Sequence, residues 1–157
     1  MSLSHLQHIH RRPLINFPFV ALVVGNMCLL ETFFLLICCI LSLFYQESDT
    51  LPFAYTTAIM LCCGLGLLYY GREQRSKLGG NLREGMLAVT ATWVTLSVIG
   101  MLPFIFGGYT ESVIDAFFET VSGYTTTGAT IFSSVEQLPH GILLWRSSFN
   151  GREGLVL

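Results

Sequence analysis

A chain of 157 residues that is 52% hydrophobic and only 11% charged lacks the charge of a soluble domain, which runs nearer to about 25%. Its mean hydropathy of +0.62 favours a membrane-embedded chain. A net charge of −2 gives no basic field for nucleic acid, and the length suits one domain.

Residues 1–16 read as a polar cytoplasmic tail. His5, His8 and His10 have no carboxylate or cysteine nearby to complete a metal shell. Arg11 and Arg12 resemble the charged start of a signal peptide, but the apolar run that follows is too long and lacks a small-residue cleavage site. A retained anchor is expected over Phe17–Phe44, followed by a second span over Pro52–Tyr70 and a third over Met86–Phe106. Each is close to or above the ~20 apolar residues that cross a bilayer. Cys28, Cys38, Cys39, Cys62 and Cys63 all lie in these runs and read as small packing residues, not as a disulfide framework. Glu31 is an ionisable group in mid-span, which by default is a functional candidate; its alternative is a hydrogen bond through Asn26 or Thr32 to a neighbouring helix.

Charge orients the spans. "QESD" between the first two spans has no Lys or Arg, whereas "GREQRSKLGGNLRE" carries Arg72, Arg75, Lys77 and Arg83. Residues 107–141 again have none. The positive-inside bias puts the N-terminus and the 71–85 loop in the cytoplasm and 107–141 outside. Neither "GLGLLYYG" nor "GREQRSKLGG" has the framing of a nucleotide-binding loop.

After Phe106, "GGYT" breaks the helix. Ser112 and Asp115 suggest a capping box at the start of a short helix over 113–122, with Gly123 placed to end it. Ten residues at 1.5 Å reach about 15 Å, half of a hydrocarbon core of about 30 Å. The polar stretch "SGYTTTGATIF" follows. A half-length helix and irregular backbone that enter and leave on one side describe a re-entrant loop, tolerated at membrane depth only against protein or water. The negative end of the helix dipole favours a cation there, and the carbonyls of Thr125, Thr126, Thr127, Gly128 and Ala129 can serve as its ligands. The bland reading is a Thr-rich extracellular turn.

"DAFFETVSGYTTTGAT" resembles the first pore helix and filter of the TrkH/KtrB (Trk/Ktr/HKT) family of potassium transporters, TrkH type. "LREGMLAVTATWVTLSVIGMLPFIFGG" resembles the outer helix before it and "LLWRS" the start of the inner helix after it. The resemblance implies an all-α integral membrane fold: a two-helix hairpin (17–70), a cytoplasmic loop (71–85), and one helix–pore loop–helix repeat of four (86–157). It places the filter, within residues 123–130, on Thr126, Thr127, Gly128 and Ala129, with Thr125 and Thr130 flanking; Gly123, as the expected helix end, and Glu31, as the mid-span carboxylate, are read from the residues as supports. Set beside the potassium-channel loop TVGYG, Thr126–Thr127–Gly128 align with the first three places, while Ala129 and Thr130 replace the last two, which suggests looser selectivity. It also implies potassium uptake across a bacterial inner membrane, no cofactor, no enzymatic activity, a homodimer, and a cytoplasmic nucleotide-binding regulatory subunit. The chain departs from the family at "SFNGREGLVL", where Arg152 and Glu153 suit a membrane helix poorly. An incomplete inner helix (142–157) and a truncated product that does not transport alone are therefore expected. A non-transporting assembly or regulatory protein is the alternative. An integral-membrane enzyme using His140 and Arg146 at a head group lacks any nucleophile–base spacing.

Overall fold

The computed structural model describes residues 15–73, 81–132 and 138–148, and these contain helices and no strand. The helices are α1 (Phe17–Phe44), α2 (Thr50–Glu73), α3 (Leu82–Gly100), α4 (Leu102–Phe106), α5 (Val113–Tyr124) and α6 (His140–Ser147). Three stretches are long and apolar enough to cross a membrane: Phe17–Phe44, Thr50–Glu73 and Leu82–Phe106. The histidines of the tail and residues 149–157 lie outside the described residues.

Local chemistry sets the boundaries. Asn16 caps α1, its side chain accepting from the Phe19 N–H, and Pro18 fits a first turn that needs no donor. Glu84 supplies the return arm of a capping box at α3, accepting from the Asn81 N–H at 2.9 Å. Its other oxygen accepts from the Asn16 N–H at 2.9 Å, so one buried carboxylate joins the starts of α1 and α3.

The span expected as one helix over 86–106 is in fact broken at Met101. Pro103 has no N–H to continue the ladder, and α4 restarts on the Met101 carbonyl through Phe104 and Ile105. The α4 helix ends in a Schellman motif, with Tyr109 N–H bonded to Phe104 O and Gly108 at φ +68°. The break at "GGYT" is thus where the sequence put it.

The buried core joins α1, α2, α4, α5 and α6 through Cys28, Leu35, Phe53, Met60, Phe104, Ala116, Ile142 and Trp145. The α1–α2 hairpin closes over small residues: a Cβ on Gly64 would lie 3.1 Å from that of Cys28. The five cysteines are free, Cys28 and Cys38 being buried and Cys62 exposed. Exposed apolar side chains such as Phe33, Ile40, Leu65 and Val94 suit a lipid-facing surface.

Candidate functional site

Helix α5 has 12 residues, about 18 Å of rise. The Ser112 hydroxyl accepts from the Ile114 N–H at 3.1 Å. The return arm expected from Asp115 does not form among the described residues; Asp115 stays in the first turn, where the helix dipole favours it.

Gly123 does not end the helix. It is buried inside α5, which continues to Tyr124. The termination lies further on, in a second Schellman motif: Thr126 N–H bonds Gly123 O at 3.0 Å and Thr127 N–H bonds Ser122 O at 3.1 Å. The residue that takes the left-handed conformation is Thr126, at φ +54°, where glycine is usual. Gly128 is left-handed as well, at φ +71°, while Thr127 between them is not. Thr125, Thr126, Thr127, Ala129 and Thr130 are exposed on this stretch.

The loop is tied back along α5. The Ser122 hydroxyl donates to the Ala129 carbonyl at 2.6 Å, so that carbonyl already has one protein partner. Glu119 holds the far end: one carboxylate oxygen accepts from the Thr130 hydroxyl at 2.7 Å and the Ile131 N–H at 2.6 Å. Its other oxygen lies 3.3 Å from Arg146 Nε on α6, an ion contact between side chains that are 0% and 6% exposed. The Thr125 and Thr127 hydroxyls pair with each other at 2.8 Å.

At the near end, Tyr124 donates from its hydroxyl to Glu31 of α1. The alternative expected for Glu31, a hydrogen bond to a neighbouring helix, thus forms but not through Asn26 or Thr32, because Asn26 donates to the Leu22 carbonyl and Thr32 to the Cys28 carbonyl of their own helix. A Cβ on Gly100 would lie 2.5 Å from the Tyr124 oxygen, so that glycine leaves the room in which the hydroxyl passes α3. Trp145 Nε1 donates to the Gly100 carbonyl at 3.1 Å and fixes α6 at the same level.

His140 and Arg146 do not converge. Arg146 meets Glu119, while His140 Nδ1 donates to Glu47 of the α1–α2 turn at 2.7 Å and stacks on Tyr45 at 4.3 Å. Burial pushes the Glu47 carboxyl up, but the hydrogen bond from His140 and the N–H groups of His140 and Gly141 outweigh it and hold it below its ordinary value. Burial is the largest influence on Asp49 and raises its carboxyl despite a hydrogen bond from Ser42. The α1–α2 turn, Tyr109 (through Ser48) and the start of α6 therefore meet at one end of the bundle. The Asn16–Glu84 junction joins the helix ends at the other.

The family model TrkH, described as "Cation transport protein", matches residues 52–156. The Trk system potassium uptake protein TrkH of Escherichia coli (strain K12) is 35% identical over 145 residues, covering 90% of this chain and 30% of that protein. TrkG of the same organism, also a Trk system potassium uptake protein, is 37% identical over 117 residues, covering 74% of this chain and 24% of that protein. The crystal structure of the potassium transporter TrkH from Vibrio parahaemolyticus superposes with a TM-score of 0.74 at 33% identity, over 84% of this chain and 28% of that one. The chain thus spans about 30% of the length of the curated relatives it matches. These relatives are transport proteins and not enzymes. With the family model covering well over half of its length, the chain belongs to the TrkH family of cation transport proteins.

Proposed function

We propose that this chain supplies one quarter of a potassium-conducting filter in a Trk-type uptake system. The observation that carries the reading is the backbone of 125–129. Left-handed residues at Thr126 and Gly128 alternate with Thr125 at φ −82° and Thr127, which is not left-handed. Alternation of this kind turns successive carbonyls toward one side, as a ring of ion ligands requires. The stretch sits at the negative end of the α5 dipole, which favours a cation. Thr125, Thr126, Thr127 and Gly128 are the ligands in this reading. Ala129 contributes through the acceptor capacity that Ser122 leaves. Gly123, Thr130 and Glu31 are supports.

On this reading the chain is a hairpin (17–70), a cytoplasmic loop (71–85) and a first pore repeat (86–157), with α5 and the loop as a re-entrant segment. Potassium is the cargo and no cofactor takes part. The N-terminus is cytoplasmic, in a bacterial inner membrane, and the partners are a second copy and a nucleotide-binding regulatory subunit. The relatives' names support potassium uptake, and the charge asymmetry of the loops supports the orientation.

The test is Gly128→Ser in the complete transporter. No atom lies within 4 Å of a Cβ placed there, so the substitution acts through the backbone alone. Holding a non-glycine residue left-handed costs about 1–2 kcal/mol, and relief of that cost turns a carbonyl away. Sodium should then compete with rubidium uptake about fivefold better or more. Unchanged competition, with the protein present in the membrane, makes the stretch a turn and not a filter.

A further inference from the structure

The family model's match begins at residue 52, so α1 lies before it, yet α1 is bonded to the last residue of α5, just before the loop. We infer that Glu31 is a positioning residue for that loop: through the Tyr124 hydroxyl it holds the end of α5 and keeps Thr126 in its left-handed conformation. The inference rests on reading residues 125–129 as an ion filter.

A β-branched residue at φ +54° is disfavoured, and it persists only where its surroundings over-determine it. Helix α1 itself ends with Gln46 left-handed at φ +54° in the same kind of motif, and α4 with Gly108. Those two ends lie in turns between helices. The α5 end lies instead against the middle of α1, and its last residue, Tyr124, is bonded 93 positions away in sequence. Glu31 is 2% exposed and faces no helix end of its own, so the bond is not a cap. Gly100 leaves room for the hydroxyl at 2.5 Å, and Trp93 packs edge-on to the Tyr124 ring at 6.5 Å. Helices α1 and α3 thus converge on one phenol of α5, two residues before Thr126. Rotation or withdrawal of Tyr124 moves the Gly123 and Ser122 carbonyls to which Thr126 and Thr127 are bonded. The hairpin is in this sense part of the filter's scaffold.

Amide hydrogen exchange of the chain in lipid nanodiscs, resolved at Thr126 and Thr127, tests this without requiring transport. Loss of one such hydrogen bond should speed exchange at both amides about threefold to tenfold in Tyr124→Phe and in Glu31→Leu. The double variant should match Tyr124→Phe, which removes both the bond to Glu31 and the 3.4 Å contact of the hydroxyl with the Leu96 carbonyl. Glu31→Gln, which keeps an acceptor oxygen, should stay near the wild-type rate. The α1–α2 amides should not change. If Tyr124→Phe also speeds exchange in α1 and α2, the bundle itself is disrupted, and Glu31→Gln against Glu31→Leu decides the question. Equal rates in those two, or an unchanged rate in Glu31→Leu, overturn the positioning role. Addition of potassium chloride against sodium chloride to the complete transporter, which supplies the other three quarters of the ring, tests the filter separately. Potassium should slow exchange at the two amides and sodium should not. A loop loosened by Tyr124→Phe but indifferent to potassium shows the strut to hold something other than a filter, which overturns the functional half of the inference.

Discussion

Replacing Arg146 with methionine isolates the ion contact that closes the loop's far end. Methionine keeps most of the apolar stem and removes the guanidinium. What remains is the Glu119 carboxylate, 0% exposed, with bonds from Thr130 and Ile131 on one oxygen and its cationic partner gone from the other. An exposed ion pair is worth about 0–1 kcal/mol, whereas breaking a buried one by removing one partner costs about 3–5 kcal/mol. The two surviving hydrogen bonds put the expected loss at the low end, about 3 kcal/mol, or roughly a hundredfold in the folding equilibrium. Reversible unfolding in bicelles by titration with dodecyl sulfate, followed by tryptophan fluorescence, measures it; Trp145 is buried beside the substituted position. Adding Glu119→Gln to Arg146→Met should recover most of the loss, because glutamine still offers an oxygen to Thr130 and Ile131 but buries no charge. A loss below about 1 kcal/mol, or no recovery in the double variant, refutes the argument that the carboxylate depends on Arg146.

Thr126→Gly should stabilise the chain by about 1 kcal/mol in the same titration, since glycine takes the left-handed position without a Cβ penalty. In the α1–α2 turn, Glu47 is held below its ordinary carboxyl value, so its stabilisation is full above that value and is lost as pH falls through the lower, folded one. Asp49, raised by burial, works in the other direction. The difference between wild type and His140→Ala, measured by unfolding from neutral pH down to below about 4, should therefore shrink as the pH falls. Single cysteines at Glu73 and Glu111, both exposed, should be labelled from opposite sides of the membrane by an impermeant thiol reagent once the five native cysteines are replaced. Labelling from one side removes the proposed orientation.

The long spans were legible because apolar length is a local property, and α1 falls on the bounds drawn from sequence. The break at Met101 was written in Pro103 but hidden by the apolar run around it, since hydropathy does not register a missing N–H. The end of α5 was misread for a physical reason. Glycine is the usual left-handed residue, and the chain offers one at Gly123; the structure uses Thr126 three positions on. No local preference selects a β-branched residue for that conformation, so it is fixed by contacts made elsewhere. Those contacts are the part that sequence conceals. Nothing along the chain singles out Glu119, and Arg146 reads only as a charge near a head group; their pairing exists only once α6 lies against α5. The Glu31–Tyr124 bond is equally invisible along the chain. A buried carboxylate in an apolar run was the one available signal, and it pointed to the right residue with the wrong partners.

The carboxylate of Glu84 has a consequence for biogenesis. Asn16 lies 68 positions before it, and the bond between them closes one end of the bundle. At about 5–20 residues per second, a ribosome needs roughly 3–14 s to synthesise that interval. During this time α1 can already leave the insertion machinery, but the Asn16 amide has no Glu84 to meet. The first helix therefore enters the bilayer before the contact that anchors its start has been made, and until then its placement depends on flanking charge and on its pairing with α2. Synthesis of the third span then turns a provisional insertion into a fixed one, which gives this one residue the part of a clasp that closes late.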